Sequence, residues 1–295
     1  MVPSSMSTLH KTPTPSPLLL SRRKLCFQGA PHVMGILNTT PDSFSDGGLH
    51  LHLDKAYDAA CQMVDDGAAI IDIGGESTRP GAAPVNPDHE AQRVVPVIKR
   101  LRATSDVLIS CDTRNATVAA AALEAGADLI NDVSGFVHDP LMPKVVADAN
   151  AGAILMHMRG SPLTMQRQTG YEDILSEIQQ FLTQQIRVAT RHGVDLDKIA
   201  VDPGIGFGKA LAGNLALIRF ASHFAREGRP VLLGPSRKRF IGDLTEVEDA
   251  RDRDWGTAGA VAAGVIFGGH IFRVHNVRAA VETIKVTFAI KNAAQ

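Results

Sequence analysis

From residue 33 onward the chain repeats one local pattern: an apolar run ending in a polar residue, a glycine-containing loop, a stretch with helical spacing, then Gly-Ala and another apolar run. The repeat is plainest at three joints. Gly67-Ala68-Ala69-Ile70-Ile71-Asp72 matches Gly126-Ala127-Asp128-Leu129-Ile130-Asn131 and Gly152-Ala153-Ile154-Leu155-Met156-His157. In each, Gly suits the left-handed position just past a helix, and the apolar run suits a strand buried on both faces. Eight strands can be placed this way: Val33–Leu37, Ala69–Ile73, Val107–Cys111, Leu129–Asp132, Ala153–His157, Ile199–Val201, Val231–Leu233 and Ile271–Val274. Helices are expected near 54–66, 88–103, 115–125, 141–149, 172–191, 213–227, 255–268 and after 276. The clearest carry a 3.6-residue stripe, Ile174, Ile178, Phe181, Leu182 and Gln185 in one and Val277, Val281, Ile284 and Phe288 in another. Alternating strand and helix implies a parallel sheet. Eight units over about 260 residues imply a closed (β/α)8 TIM barrel in a single domain. An open doubly wound sheet would carry a phosphate loop, and no G-x-G-x-x-G or Walker A string follows any strand.

The barrel is assigned to residues 31–292 and a flexible, disordered N-terminal extension to 1–30. That extension is rich in Ser, Thr and Pro, holds Lys11, Arg22, Arg23 and Lys24, and has no acid before Asp42. Its composition has some likeness to an organellar transit segment, but a floppy tail is the simpler reading. Across the 295 residues, 30 basic and 31 acidic side chains leave a formal charge of −1. That balance argues against binding driven by charge to nucleic acid or an anionic membrane. No stretch reaches the roughly 18 apolar residues that span a bilayer. Cys26, Cys61 and Cys111 are too few and too scattered for a disulfide framework, which fits a cytoplasmic setting.

In such barrels the active site lies where the strands end. The endings read Asn38; Asp72 with Glu76; Asp112; Asn131 with Asp132; His157 with Arg159; Asp202; Ser236, Arg237 and Lys238; and Arg273 with His275. An ordinary solvated rim would use flexible Lys and Glu. This one sets Asp, Asn, Arg and His directly behind apolar runs. Asp112, Asn131 and Asp202, with Met156 and Phe207 nearby, suit a flat heterocycle with an amidine-like edge, because a carboxylate can accept two parallel N–H donors. Arg79, Lys238, Arg273 and His275 suit an anionic leaving group or phosphate. Nothing resembles an all-protein metal cage, and His50 and His52 read as loop surface. A hard cation held by one protein oxygen plus substrate phosphates stays open, since Mg²⁺ is often bound that way. Cys111 alternates with Asp112 along its strand and reads as a small core residue.

The loops carry a resemblance. The first strand leads to Asn38-Thr39 and TPDSFSDGG at 40–48, the second to GGESTRPGA at 74–82, the third ends CDT at 111–113, and the fourth gives NDVSG at 131–135. The sixth gives DPGIGFGK at 202–209, the seventh GPSRKRF at 234–240 and the eighth FRVHNV at 272–277. Together these strings closely resemble the dihydropteroate synthase family of folate biosynthesis, the target of sulfonamides.

The resemblance implies a reaction. The amine of 4-aminobenzoate attacks the methylene of 6-hydroxymethyl-7,8-dihydropterin pyrophosphate, giving 7,8-dihydropteroate and pyrophosphate by an SN1-like displacement assisted by Mg²⁺. Carried over by position, Asp112, Asn131, Met156, Asp202, Lys238 and Arg273 match the pterin pocket. Phe44, Thr78, Pro80, Phe207, Ser236 and Lys238 match the 4-aminobenzoate site. Asn38, Arg273 and His275 match the pyrophosphate site, with Asn38 holding the metal. Asp46, Arg79, Lys238 and His275 form the catalytic set, Asp46 and Arg79 on loops that would close over the reacting centre. A homodimer is implied, and the Ala- and Gly-rich helix at 256–269 would permit close helix approach. Pro235, Arg239 and Asn276 depart from the family's usual residues. A folate-dependent methyltransferase would share the Asp and Asn pocket without needing the two long loops or the Ser236-Arg237-Lys238 cluster. A non-catalytic binding paralogue would be expected to have lost loop residues that are intact here.

Overall fold

A computed structural model describes residues 14–39, 49–77, 85–161 and 164–293. Two-residue periodicity organises everything that matters for the site. Eight parallel strands run β3 (His32–Asn38), β4 (Ile70–Gly74), β5 (Leu108–Asp112), β6 (Leu129–Asp132), β7 (Gly152–Met156), β8 (Ile199–Asp202), β9 (Leu232–Leu233) and β10 (Ile271–Val274). Hydrogen bonding orders them β8-β7-β6-β5-β4-β3-β10-β9. A parallel bridge from Val201 to Val231 joins the two ends, so the sheet closes into the expected barrel. The helices are α1 (Leu49–Asp65), α2 (Pro87–Thr104), α3 (Ala116–Glu124), α4 (Met142–Asp148), α5 (Ile174–Arg191), α6 (Leu211–Arg219), α7 (Arg239–Thr245), α8 (Asp254–Ile266) and α9 (Val277–Lys291). The helix expected over 213–227 ends at Arg219, and a separate 3₁₀ turn covers Ala221–Ala225. His50 and His52, read as loop residues, lie in the first turn of α1.

Because strand side chains alternate, each strand divides its residues between two cores. Ile71, Ile73, Ile109, Cys111, Ile130 and Leu155 point outward into the layer beneath the helices. Met34, Ile70, Leu108, Leu129, Ile154, Ala200, Leu232 and Ile271 point inward and form an apolar floor at the strands' N-terminal end. Two residues further along, the inward positions become Asp72, Ser110, Asn131, Met156, Asp202 and Arg273. The floor is apolar and the mouth is polar.

The floor corrects the expectation of a flexible extension for the described part of it, residues 14–30. Leu18–Leu19 (β1) and Lys24–Leu25 (β2) pair as an antiparallel hairpin. Leu18, Leu20, Leu25 and Phe27 are buried in one cluster with the floor residues. An open barrel end would leave that ring in water, and covering it stabilises by on the order of 2 kcal/mol per large side chain. Gly152 makes room: a Cβ there would collide with the Leu20 side chain. Residues 1–13 lie outside the described residues. Among the described residues, no helix is long and apolar enough to cross a membrane.

Candidate active site

The inward residues above the floor meet in one buried polar cluster. Arg273, next to last in β10, donates from Nε to Asp72 at 2.6 Å and from Nη2 to Asp112 at 2.7 Å. Asn131 Nδ2 donates to the same Asp72 oxygen at 3.0 Å. Asp72 is fully buried, and Asp112, Asn131, Met156 and Asp202 are nearly so. Asp72 Oδ1 and Asn131 Oδ1 have no hydrogen-bond partner among the described residues. Buried acceptors are normally satisfied, so such atoms mark places where a further donor fits.

Burial sets the electrostatics. It raises the Asp112 carboxyl to about 7, with Arg273 opposing and Asp72 adding to the shift. It raises Asp202 to about 6, opposed by the bond that Asp202 Oδ1 accepts from Gly204 N at 2.7 Å. Burial also opposes charge on Arg273, but Asp72 and Asp112 keep its affinity for the proton above the ordinary value. Lys238 is lowered to about 8, first by burial and then by Arg273.

A second group lies beside this cluster. Phe207 packs with Val133, Met156 and Met165, and the Lys238 ammonium sits 3.9 Å from the centre of its ring. Gly206 has φ of +85°, and a Cβ there would come 2.9 Å from Lys238 Cδ, so the loop needs glycine to pass this side chain. Ser236 Oγ lies 2.9 Å from His275 Nδ1 and accepts from His275 N at 3.2 Å. Between Ser236 and Lys238, Arg237 adopts φ of +58°, a strained value for a side-chain-bearing residue. Its guanidinium is held away from the cluster by Asp254, Nε to Oδ1 at 2.7 Å and Nη2 to Oδ2 at 2.9 Å.

Asn38 ends β3, in register with Gly74 of β4 and on the strand that pairs with β10. Among the described residues, no group of three or more His, Cys, Asp or Glu could hold a metal ion. A single amide oxygen at this strand end fits an ion that takes most of its ligands from phosphate and water.

A family model described as "Pterin binding enzyme" matches residues 34–275. The dihydropteroate synthase of Synechocystis is 45% identical over 94% of this chain and 96% of its own length. That of Bacillus subtilis is 46% identical over 88% of each. The chain belongs to the dihydropteroate synthase family. Among solved structures, Xanthomonas albilineans dihydropteroate synthase with 4-aminobenzoic acid superimposes with a TM-score of 0.88 at 40% identity, covering 95% of this chain and all of that one.

Within this family frame, the structure gathers Asp112, Asn131, Met156, Asp202, Phe207, Ser236, Lys238, Arg273 and His275 at the mouth, with Asn38 on its rim. Phe44, Asp46, Thr78, Arg79 and Pro80 lie outside the described residues. The root of the second loop is built firmly: Arg93 Nη1 donates to Gly75 O at 2.8 Å, and Arg114 pairs with Glu76 at 3.0 Å. Asp132 does not face the mouth. It accepts from Ser134 N and Oγ at 2.7 Å and from Phe136 N at 3.0 Å, stapling the next loop. His157 also turns away, its ring 4.9 Å from that of Phe181. Of the departures, Arg239 is exposed beside Asp243, whereas Asn276 caps α9 and donates to Asp254 Oδ2 at 3.1 Å, a bond an Asp could not make. Asp72 stands among the strand endings without a role assigned from sequence, although its inward parity with Asp112 is readable there. Lys209 stands in the string 202–209, likewise without a role of its own.

Proposed function

We propose that the protein joins 6-hydroxymethyl-7,8-dihydropterin pyrophosphate to 4-aminobenzoate, releasing 7,8-dihydropteroate and pyrophosphate. The observation that carries this reading is the buried Asp72–Asn131–Arg273–Asp112 cluster beside Asp202, with two acceptors that have no partner among the described residues. A pterin edge presents N–H donors and a ring acceptor in one plane. Asp202 and Asn131 would take the donors, with Asp112 and Lys238 completing the in-plane contacts. With Nε and Nη2 committed to two carboxylates, Arg273 is a fixed plane whose face carries no N–H, so it can stack on the ring opposite Met156. Phe207, Ser236 and Lys238 would receive 4-aminobenzoate, with Phe44, Thr78 and Pro80 from the first two loops; sulfonamides would compete there. The solved Yersinia pestis dihydropteroate synthase, 40% identical with a TM-score of 0.88, is a complex with a sulfonamide drug.

In the reaction the bond from the methylene carbon to the ester oxygen breaks, and its electron pair leaves with pyrophosphate. A carbon–nitrogen bond forms, and the amine proton passes to solvent. The electron-rich pterin delocalises the positive charge left on the methylene, so excluding water protects that carbon from hydrolysis. Arg273 Nη1 and His275 would hold the departing pyrophosphate, with Asn38 supplying the protein ligand for Mg²⁺. The ion, when bound, neutralises developing charge on the leaving group. Asp46 and Arg79, with Lys238 and His275, complete the catalytic set. An arylamine is a weak base, so holding it in line matters more than deprotonating it.

A homodimer completes the proposal. Leu215, Leu244, Ile266 and Trp255 are exposed on neighbouring faces of α6, α7 and α8, Trp255 at 91%. Two glycines of α8 are used within the chain, since a Cβ on Gly256 would collide with Ile241 and one on Gly264 would come 2.5 Å from Phe272, whereas Gly259 faces open space. Three free cysteines are consistent with the cytoplasm. Purified protein with Mg²⁺ and both substrates should form dihydropteroate and pyrophosphate in equal amounts. Methyl transfer from a folate instead would mark a methyltransferase, and binding without product a regulatory paralogue. Sedimentation should show a dimer that Leu244→Glu dissociates.

A further inference from the structure

Lys209 is buried, and no role above uses it; burial pulls its pKa well below the ordinary lysine value, and the nearby Asp202 charge opposes that shift. Its ammonium reaches three acceptors: His157 Nδ1 at 2.9 Å, His157 O at 3.0 Å and Phe207 O at 2.9 Å. Only 4% of the residue is exposed, and no carboxylate is among those contacts. Three ammonium donors meeting three acceptors leave none unsatisfied. With Lys209 protonated, His157 accepts through Nδ1 and stays neutral. Burial, followed by the charges of Lys209 and Arg159, lowers its pKa to about 3, which fits.

These bonds tie the segment 202–209 to the end of β7 and close it back on itself. Three glycines mark how tightly it is threaded. A Cβ on Gly204 would collide with the His157 carbonyl and lie 3.0 Å from Lys209 Nζ, and one on Gly208 would lie 3.0 Å from Arg159 O. Gly206, as above, passes Lys238. All three have φ between +70° and +85°, so the backbone itself excludes ordinary residues. Asp202, at the start, is anchored independently by the β7–β8 ladder, where it pairs with Met156 and its carbonyl accepts from His157 N at 3.0 Å. Phe207 has no such ladder. Its carbonyl is held by Lys209, and its N–H donates to Gly204 O at 3.1 Å.

We propose that Lys209 is a positioning residue for the arylamine half of the site: by fastening the Phe207 carbonyl to the end of β7, it fixes the Phe207 ring opposite Lys238 at the gap a benzoate ring must enter. The inference rests on the reaction proposed above and deepens it. Because Asp202 is held by the ladder and Asp72, Asp112, Asn131 and Arg273 lie on other strands, the clamp separates the two substrates.

The test is a steady-state comparison with a direct pterin titration. Lys209→Met should raise KM for 4-aminobenzoate by roughly ten-fold or more, since misplacement of about 1 Å costs up to a hundred-fold in such sites. Its affinity for a pterin, measured by titration without 4-aminobenzoate, should change by less than about three-fold. Should Lys209→Met fail to fold, the His157 pair decides: His157→Leu removes one acceptor and should raise the same KM, while His157→Asn offers an amide oxygen near Nδ1 and should restore it. An unchanged KM in Lys209→Met, an equal loss of pterin affinity, or identical His157→Leu and His157→Asn kinetics would overturn the proposal. Wild-type protein run in parallel keeps the readings apart, because failure of the reaction itself would show there as absence of dihydropteroate.

Discussion

Asp72→Asn tests whether the buried cluster is held by charge or merely by hydrogen bonding. Both bonds to Asp72 end on one oxygen, Arg273 Nε at 2.6 Å and Asn131 Nδ2 at 3.0 Å. An amide with its oxygen in that place keeps both bonds and the volume, and loses only the charge. Removing one partner of a buried ion pair costs about 3–5 kcal/mol. Arg273 retains Asp112, so roughly half of that, about 2 kcal/mol, is expected here. The new NH₂ falls where Asp72 Oδ1 has no partner among the described residues, and a buried unpaired donor adds about 1–2 kcal/mol. The sum, about 3–4 kcal/mol, corresponds to a Tm lower by roughly 6–15 °C for a domain of this size. A second readout is independent of stability. Asp72 helps to raise the Asp112 carboxyl to about 7, so its charge loss should move the acidic limb of pterin affinity to lower pH. Thermal melts and pterin titrations from pH 5 to 8 measure both. A variant with wild-type Tm and an unmoved pH profile would refute the reasoning.

Gly204→Ala should destabilise by roughly 2–4 kcal/mol, from left-handed strain and overpacking against the His157 carbonyl, and raise KM for 4-aminobenzoate, as melts and kinetics would show. For pH, Asp202 at about 6 against an ordinary 3.8 binds its proton more tightly folded than unfolded. Its contribution is present below pH 4 and lost as pH rises through 6, so roughly 1–1.5 kcal/mol should disappear between pH 5 and 8 in the unliganded protein. Asp202→Asn should lack that share of the fall in melting temperature, and should bind pterin weakly. Leu20→Ala, at the opposite end of the barrel, should lose about 2–4 kcal/mol of stability with kcat unchanged; an altered kcat would contradict the separation of floor and mouth.

The repeat made the barrel legible because strands buried on both faces are continuous apolar runs, and each observed strand lies within a residue or two of its expected bounds. Leu129–Asp132 and Ile271–Val274 agree at both ends. The N-terminal hairpin was not legible. Leu18 to Leu20 is too short and too surrounded by Ser, Pro and Arg to read as structure, and its burial depends on a ring of residues assembled from eight distant strands. Helix α7 escaped notice because its seven residues begin directly behind the Ser236-Arg237-Lys238 cluster. Within the site, the strand endings located Asp112, Asn131, Asp202 and Arg273, and their inward parity is what separates them from Asp132 and His157, which turn away. Parity could not show that Asp72 shares Arg273 with Asp112, a contact between residues 201 apart in the chain. Lys209 gave no periodic signal, since its partners are backbone carbonyls and one imidazole.

The most direct measurement uses dihydropterin pyrophosphate carrying ¹⁸O in the oxygen that bridges the methylene and phosphorus, incubated with the protein, Mg²⁺ and 4-aminobenzoate, with the products weighed by mass spectrometry. Attack at the methylene carbon predicts unlabelled dihydropteroate and all of the ¹⁸O in pyrophosphate. Label retained in a hydroxymethyl pterin, with no dihydropteroate formed, would contradict the account.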